Sequence, residues 1–262
     1  MTDLTGSTQH PTFAPHPGGA PLLQQVLAQA SMESRLMLRN GEQLLIAVVV
    51  PVIVLIGGVA GGSHLDLKET HPLVDIFTPG VLALAVMSTA FTSLAIATGF
   101  ERRYGVIKRL GASPLPRSGL LAGKVLALLL VELMQIVVVG AVGLALGWSP
   151  RPGVVGFVLA VALGTAAFAS VGLFVAGTLR AEATLAAANL IYLLLMAGGA
   201  VVLPMSAYGG FGHVARLLPS GALGEAMRAA FLDNHVSWRD LATLLVWAIV
   251  GTSLTARTFT WE

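Results

Sequence analysis

Long apolar stretches alternate with short polar ones along most of this chain. Six of them stand out, over residues 44–62, 77–100, 119–147, 153–179, 185–207 and 238–256. Each is close to the run of about 20 apolar residues that crosses a bilayer as a helix. Lipid offers the backbone no hydrogen-bond partner, so these runs are predicted to be helical. The strict alternation of a membrane β-barrel is absent. Ahead of them, Leu23, Val26, Leu27, Ala30, Met37 and Leu38 recur at helical spacing within residues 21–41, with Gln25, Gln29, Glu33, Arg35 and Arg39 supplying a polar side. That pattern predicts an amphipathic helix, lying at the headgroup boundary or against a partner, with Gly41 as its stop. Residues 1–20 are polar and rich in Pro, Gly and Thr, and read as a disordered cytosolic tail. They lack the basic and apolar regions of a cleaved signal. The expected fold class is therefore all-α integral membrane, with residues 21–262 forming a single transmembrane domain.

Composition agrees. Hydrophobic residues make up 55% of the chain and charged residues 11%, whereas a soluble domain carries roughly 25% charge. There is no cysteine, which excludes disulfides, thiol chemistry and Cys-ligated metals. Orientation follows from the basic residues. With the N-terminus inside, Arg35, Arg39, Arg102, Arg103, Lys108, Arg109, Arg117, Lys124, Arg180 and Arg257 face the cytosol, ten of the fifteen Lys and Arg. Lys68, Arg151, Arg216, Arg228 and Arg239 face outward. Both termini are then cytosolic. Within the spans, Gly57 with Gly61 and Gly143 with Gly147 form small-xxx-small pairs suited to close helix packing. Trp148 to Pro152 read as a tight turn with an interfacial Trp.

The most informative polar segment is 101–124, ERRYGVIKRLGASPLPRSGLLAGK. Glu101 to Leu110 can form a short cytosolic helix, with Tyr104, Ile107 and Leu110 on one side and Arg102, Arg103, Lys108 and Arg109 around them. Gly111 can end it, and Pro114 and Pro116 force an extended turn. Such a helix is placed to be pushed by another protein; alternatively its charges only anchor the neighbouring spans.

These residues resemble the cytosolic loop of type 2 ABC exporter permeases, the membrane subunits of bacterial drug, antibiotic and polysaccharide exporters. The matching positions are Glu101-Arg102, Gly105, Lys108-Arg109-Leu110, Pro114-Leu115-Pro116 and Gly123-Lys124. A second stretch, Leu218 to Arg228 (LPSGALGEAMR), resembles the family's Pro-to-Arg motif before the last span, with Pro219, Glu225 and Arg228 at its marked positions. The resemblance implies that 101–110 is a coupling helix seated in an ATP-binding subunit, that the N-terminal amphipathic helix is the connecting helix, and that 208–237 holds short outer or re-entrant helices. It also implies a second permease protomer, most simply a homodimer, with two copies of a separate ATPase that bind ATP and magnesium, in a bacterial cytoplasmic membrane. The cargo it implies is a drug, antibiotic or lipid-like molecule.

This chain carries no nucleotide site of its own. The string Gly119-Leu120-Leu121-Ala122-Gly123-Lys124-Val125 has three residues between its glycines instead of four, and Val125 replaces the hydroxyl that binds magnesium. Zinc-protease and serine-nucleophile motifs are also missing, and nothing in the chain points to nucleic acid, so it is read as a non-enzyme without a cofactor. His64 and His71 with Asp66 and Glu69 read as a polar outer loop, not a metal site.

Glu132 is the most unusual residue, an acid near the middle of the third stretch with Gln135 on the same face. A central acidic side chain costs about 2.5–3.5 kcal/mol on insertion scales, so it faces the bundle or a wet cavity. It either lines the export path or a dimer-seam gate, or makes a structural hydrogen bond to a neighbour. Ser88, Thr89, Thr92, Ser93 and Thr98 form a hydroxyl strip in the second stretch, and Asn189 and Tyr192 add polarity in the fifth. They either line the path or satisfy local carbonyls. The apolar spans favour a hydrophobic or amphipathic cargo. The competing reading is an ion-coupled secondary transporter that uses Glu132 as its proton site.

Overall fold

The computed structural model describes residues 20–39, 41–62, 71–111, 116–151 and 153–258. The tail expected over residues 1–19, the candidate loop ligands His64, Asp66 and Glu69, Pro114, and the side chains of Ile107 and Leu110 lie outside the described residues.

Every described element is helical. In chain order they are α1 (Leu22–Arg39), α2 (Gly41–Gly61), α3 (Leu73–Met87), a π-helix (Ser88–Ser93), α4 (Leu94–Arg103), α5 (Val106–Gly111), α6 (Arg117–Ala145), α7 (Val154–Thr178), α8 (Ala181–Gly198), a 3-10 helix (Met205–Phe211), α9 (Gly212–Ala215), α10 (Pro219–Leu232) and α11 (Trp238–Thr258). Five are long and apolar enough to cross a membrane: the continuous stretch Leu73–Arg103, then α6, α7, α8 and α11. The first expected span corresponds to α2, of which Ala47–Gly61 is the described apolar part. The second span is the axis of the bundle. Its most apolar stretch is 83% buried, against 22% for α8 and for α11, and Phe77, Val81, Leu84, Met87, Phe91 and Ala95 fill the core.

Three sequence expectations change. The fifth span ends at Gly198, not near residue 207. Gly199–Leu203 leave the helix, with Ala200 at φ 54°, because the Gly199 carbonyl is taken by Ser220 and the next four by Arg228, both of α10, rather than by the next turn. The short helix expected over 101–110 is two pieces. The second span runs on through Arg103, breaks at Tyr104-Gly105 with Gly105 at φ +67°, and restarts as α5. A Cβ disfavours that left-handed conformation, and Gly105 has none. Gly57 and Gly61 face open space, and it is Gly58 and Gly62 that approach Phe77. Gly143 does pack closely, against Thr78 and Trp148, while Gly147 adopts φ +95° at the helix stop. Trp148 is buried, its ring edge-on to Phe231 at 5.1 Å.

The amphipathic helix also turns out differently. Val26, Ala30 and the polar Gln29, Glu33 and Ser34 are buried, and the helix packs on α6, where Gly123 lets Gln29 approach. Leu23 (68% exposed), Leu27 and Leu36 point away from the bundle. An outward apolar face over an inward polar one suits a helix embedded beside the bundle at the headgroup boundary. Gln29 and Glu33 of its polar side therefore form a packing surface, while Arg35 and Arg39 are exposed.

Candidate functional site

The polar residues gather at three levels. At the end of the second span nearest α5, Lys124 of α6 sits between two carboxylates. Its Nζ lies 2.6 Å from Glu101 Oε1 at the end of the second span and 3.2 Å from Glu33 Oε1 of α1. Gln29 Nε2 donates to Glu33 at 2.9 Å. The other Glu101 oxygen is buried without a partner among the described residues. Beside this cluster a cavity of about 370 Å³ opens, with Leu36, Met37, Leu94, Phe100 and Leu128 among its walls.

The adjoining arginines extend the link. Arg102 donates to the Ala176 carbonyl in the last turn of α7, and Arg103 pairs with Glu182 in the first turn of α8. Tyr104 is 64% exposed, stacks on Phe100 at 6.2 Å, and has Arg103 over its ring at 5.8 Å. Lys108 and Arg109 of α5 are exposed, and Pro116 precedes α6. The base of α5 is thus fastened to α1, α6, α7 and α8, while α5 itself projects outward.

At mid-bundle, Glu132 is 1% exposed and its Oε2 accepts from Thr165 Oγ1 of α7 at 2.8 Å; Oε1 has no partner among the described residues. Gln135 is fully buried. It accepts from Thr89 Oγ1 of the π-helix and donates to the Ala47 carbonyl of α2, both at 2.7 Å. Ser88 and Tyr192 share a hydrogen bond. The Thr92 and Thr98 hydroxyls find no partner among the described residues. Asn189 is exposed on the outside of α8. Of the residues marked as a path, Glu132, Gln135, Ser88 and Tyr192 thus make separate interhelical hydrogen bonds, and Thr92 and Asn189 stand apart from them. The π-helix was not legible from its sequence. Its Leu94 N–H reaches back to the Thr89 carbonyl, and a Cβ at Gly172 of α7 would meet the Phe91 carbonyl at 2.9 Å. Such wide turns occur at functional positions in membrane and soluble helices alike.

At the end of the bundle away from α5, α10 is buried for most of its length between α3, α7 and α11. Arg228 is 4% exposed. It donates to the carbonyls of Ala200, Val201, Val202 and Leu203 at 3.0–3.3 Å, and pairs with Glu225 at 2.8 Å. Ser220 Oγ donates to the Gly199 carbonyl at 2.9 Å. Gly80 of α3 and Gly224 let the loop nest: a Cβ on Gly80 would meet the Val202 oxygen at 2.5 Å, and one on Gly224 the Val201 oxygen at 2.6 Å. Pro219 opens α10 at its first position, where its missing N–H costs nothing. The Pro-to-Arg motif is thus a clasp for the broken end of the fifth span. Nearby, Arg216 makes a bidentate pair with Asp240 at 2.8 and 2.9 Å, and that hydrogen bonding raises the guanidinium pKa further.

Apolar helices long enough to span a bilayer, joined by a short charged helix that projects from one end, define a multi-pass membrane protein. A family model described as ABC-2 type transporter matches residues 24–232, and the chain belongs to that family. It is the membrane-embedded permease subunit of an ABC transporter; such subunits work with an ATP-binding subunit, generally as dimers. No curated protein matches the chain.

Proposed function

We propose that this chain is the permease of an ATP-driven exporter in a bacterial cytoplasmic membrane, with both termini cytosolic. Two copies pair with two copies of a separate ATPase, which hold the ATP and magnesium. The cargo is a hydrophobic or amphipathic small molecule, of drug, antibiotic or lipid-like character. The observation that carries this reading is the set of ties at the base of α5. Lys124 with Glu101 and Glu33, Arg102 with Ala176 and Arg103 with Glu182 mean that a push on α5 reaches four other helices.

The test is a mild-detergent pull-down of tagged protein from its native membrane, with identification of the accompanying chains and an ATPase assay. Recovery of an ABC ATPase, lost when Arg102, Arg103, Lys108 and Arg109 are altered together, is expected. Recovery of this chain alone, without ATPase activity, would sink the reading.

One observation favours ion-coupled carriage instead: the second Glu132 oxygen, buried without a partner. Glu132→Gln separates the two. We expect it to reduce transport or alter cargo preference while ATP dependence persists. Transport that collapses with the proton gradient in the wild type and vanishes in this variant would favour the carrier.

A further inference from the structure

The polar end of the bundle holds a second cavity, of about 420 Å³, that shares Arg102 and Arg103 with the coupling segment. Arg102, Arg103 and Arg180 line it, opposed by one acid, Glu182. Gly99 and Leu179, the latter 38% exposed, also line it. Arg180 is the N-cap of α8 and gives that helix no side-chain cap; it is exposed, with no ion pair among the described residues. The first N–H groups of a helix lack intrahelical acceptors and carry the positive end of its dipole. Three guanidinium groups and an uncapped helix start therefore converge on one hollow, against a single carboxylate already shared with Arg103. The hollow lies where three spans end, since Arg102 reaches the last turn of α7.

We propose that this hollow binds the phosphate of an anionic phospholipid headgroup. Arginine forks match phosphate oxygens in pairs, and basic pockets between spans on the cytosolic side take acidic headgroups. A lipid is favoured over free phosphate because the cavity opens at the span ends and has the exposed, apolar Leu179 in its lining for the start of an acyl chain. A bound headgroup bridges the second span to the fifth through Arg102, Arg103 and Arg180, alongside the Arg103–Glu182 pair. The choice of leaflet rests on the orientation proposed above; the binding does not, and its test needs no ATPase.

The purified full chain, with whatever subunits accompany it, is placed in bilayer discs of phosphatidylcholine with phosphatidylglycerol. It is then extracted, and the retained lipids are counted by native mass spectrometry. The wild type is expected to keep phosphatidylglycerol preferentially. Arg103→Gln with Arg180→Gln should lower that preference about thirtyfold, the loss of roughly two arginine contacts. Arg180→Gln alone, at an exposed position, should lower it less, and Arg257→Gln at the end of α11 should leave it unchanged. Equal retention by all four proteins would overturn the proposal. Thermal stabilisation by inorganic phosphate alone, equal to that by phosphatidylglycerol, would assign the site to free phosphate and overturn the lipid source. Loss of an accompanying ATPase in the double variant, with lipid retention intact, would assign the arginines to a protein contact and overturn it too.

Discussion

Arg228 and Arg103 carry the same guanidinium to opposite ends of this bundle. Arg228 is sunk in α10, with four backbone carbonyls and Glu225 around it. Arg103 is half exposed, held by one carboxylate and the face of Tyr104. A buried charge must have its partners within the protein, because leaving one uncompensated is costly. An exposed pair is worth little and exchanges partners readily. The end that holds α10 is therefore built to stay put. At the end near α5 the Arg103–Glu182 pair can be remade, beside the more buried Lys124 cluster, which cannot be remade so easily.

The sharpest way to break this comparison is Arg228→Ala. It leaves several buried carbonyls and Glu225 without their donor, and should cost about 3–5 kcal/mol, read as thermal unfolding in detergent. Arg228→Lys should recover only part, since a compact ammonium cannot span carbonyls that a planar fork reaches. Gly80→Val drives a side chain into the same loop from α3 and should cost about 1–3 kcal/mol by overpacking. Arg102→Glu with Arg103→Glu should stay within about 1 kcal/mol of wild type in the same assay, yet lose the accompanying ATPase. A large stability loss in that variant would erase the contrast between the two ends. The smallest effect is a gain. Ala200 holds a left-handed conformation that costs an L-residue roughly 1–2 kcal/mol, so Ala200→Gly should raise stability by up to about 1 kcal/mol.

Much of this was legible beforehand. The apolar runs located α6, α7 and α11 to within a few residues, and the Pro-to-Arg motif marked the buried Arg228. The clasp it forms was not legible, because Ala200 to Leu203 are as apolar as any span. Hydropathy records what side chains prefer and is silent on where carbonyls find donors. Gly198-Gly199 was the available sign that the helix stops there. Similarly, Gln29 and Glu33 read only as a polar side because Lys124, the partner of Glu33, lies 91 positions away in the chain. The break at Gly105 was hidden by the good helical spacing on either side of it.

The wide turn at Ser88–Ser93 has a consequence at a distance. Each residue of an α-helix advances its side chains by about 100°, and a turn wound one residue wider delays everything beyond it by that angle. The phase of Glu101, Arg102 and Arg103 is thus set in the middle of the bundle, against Gly172 and Gln135. Rewinding that turn to an ordinary one would swing the three charges around the axis together and give each a different neighbour, without any other part of the helix being bent.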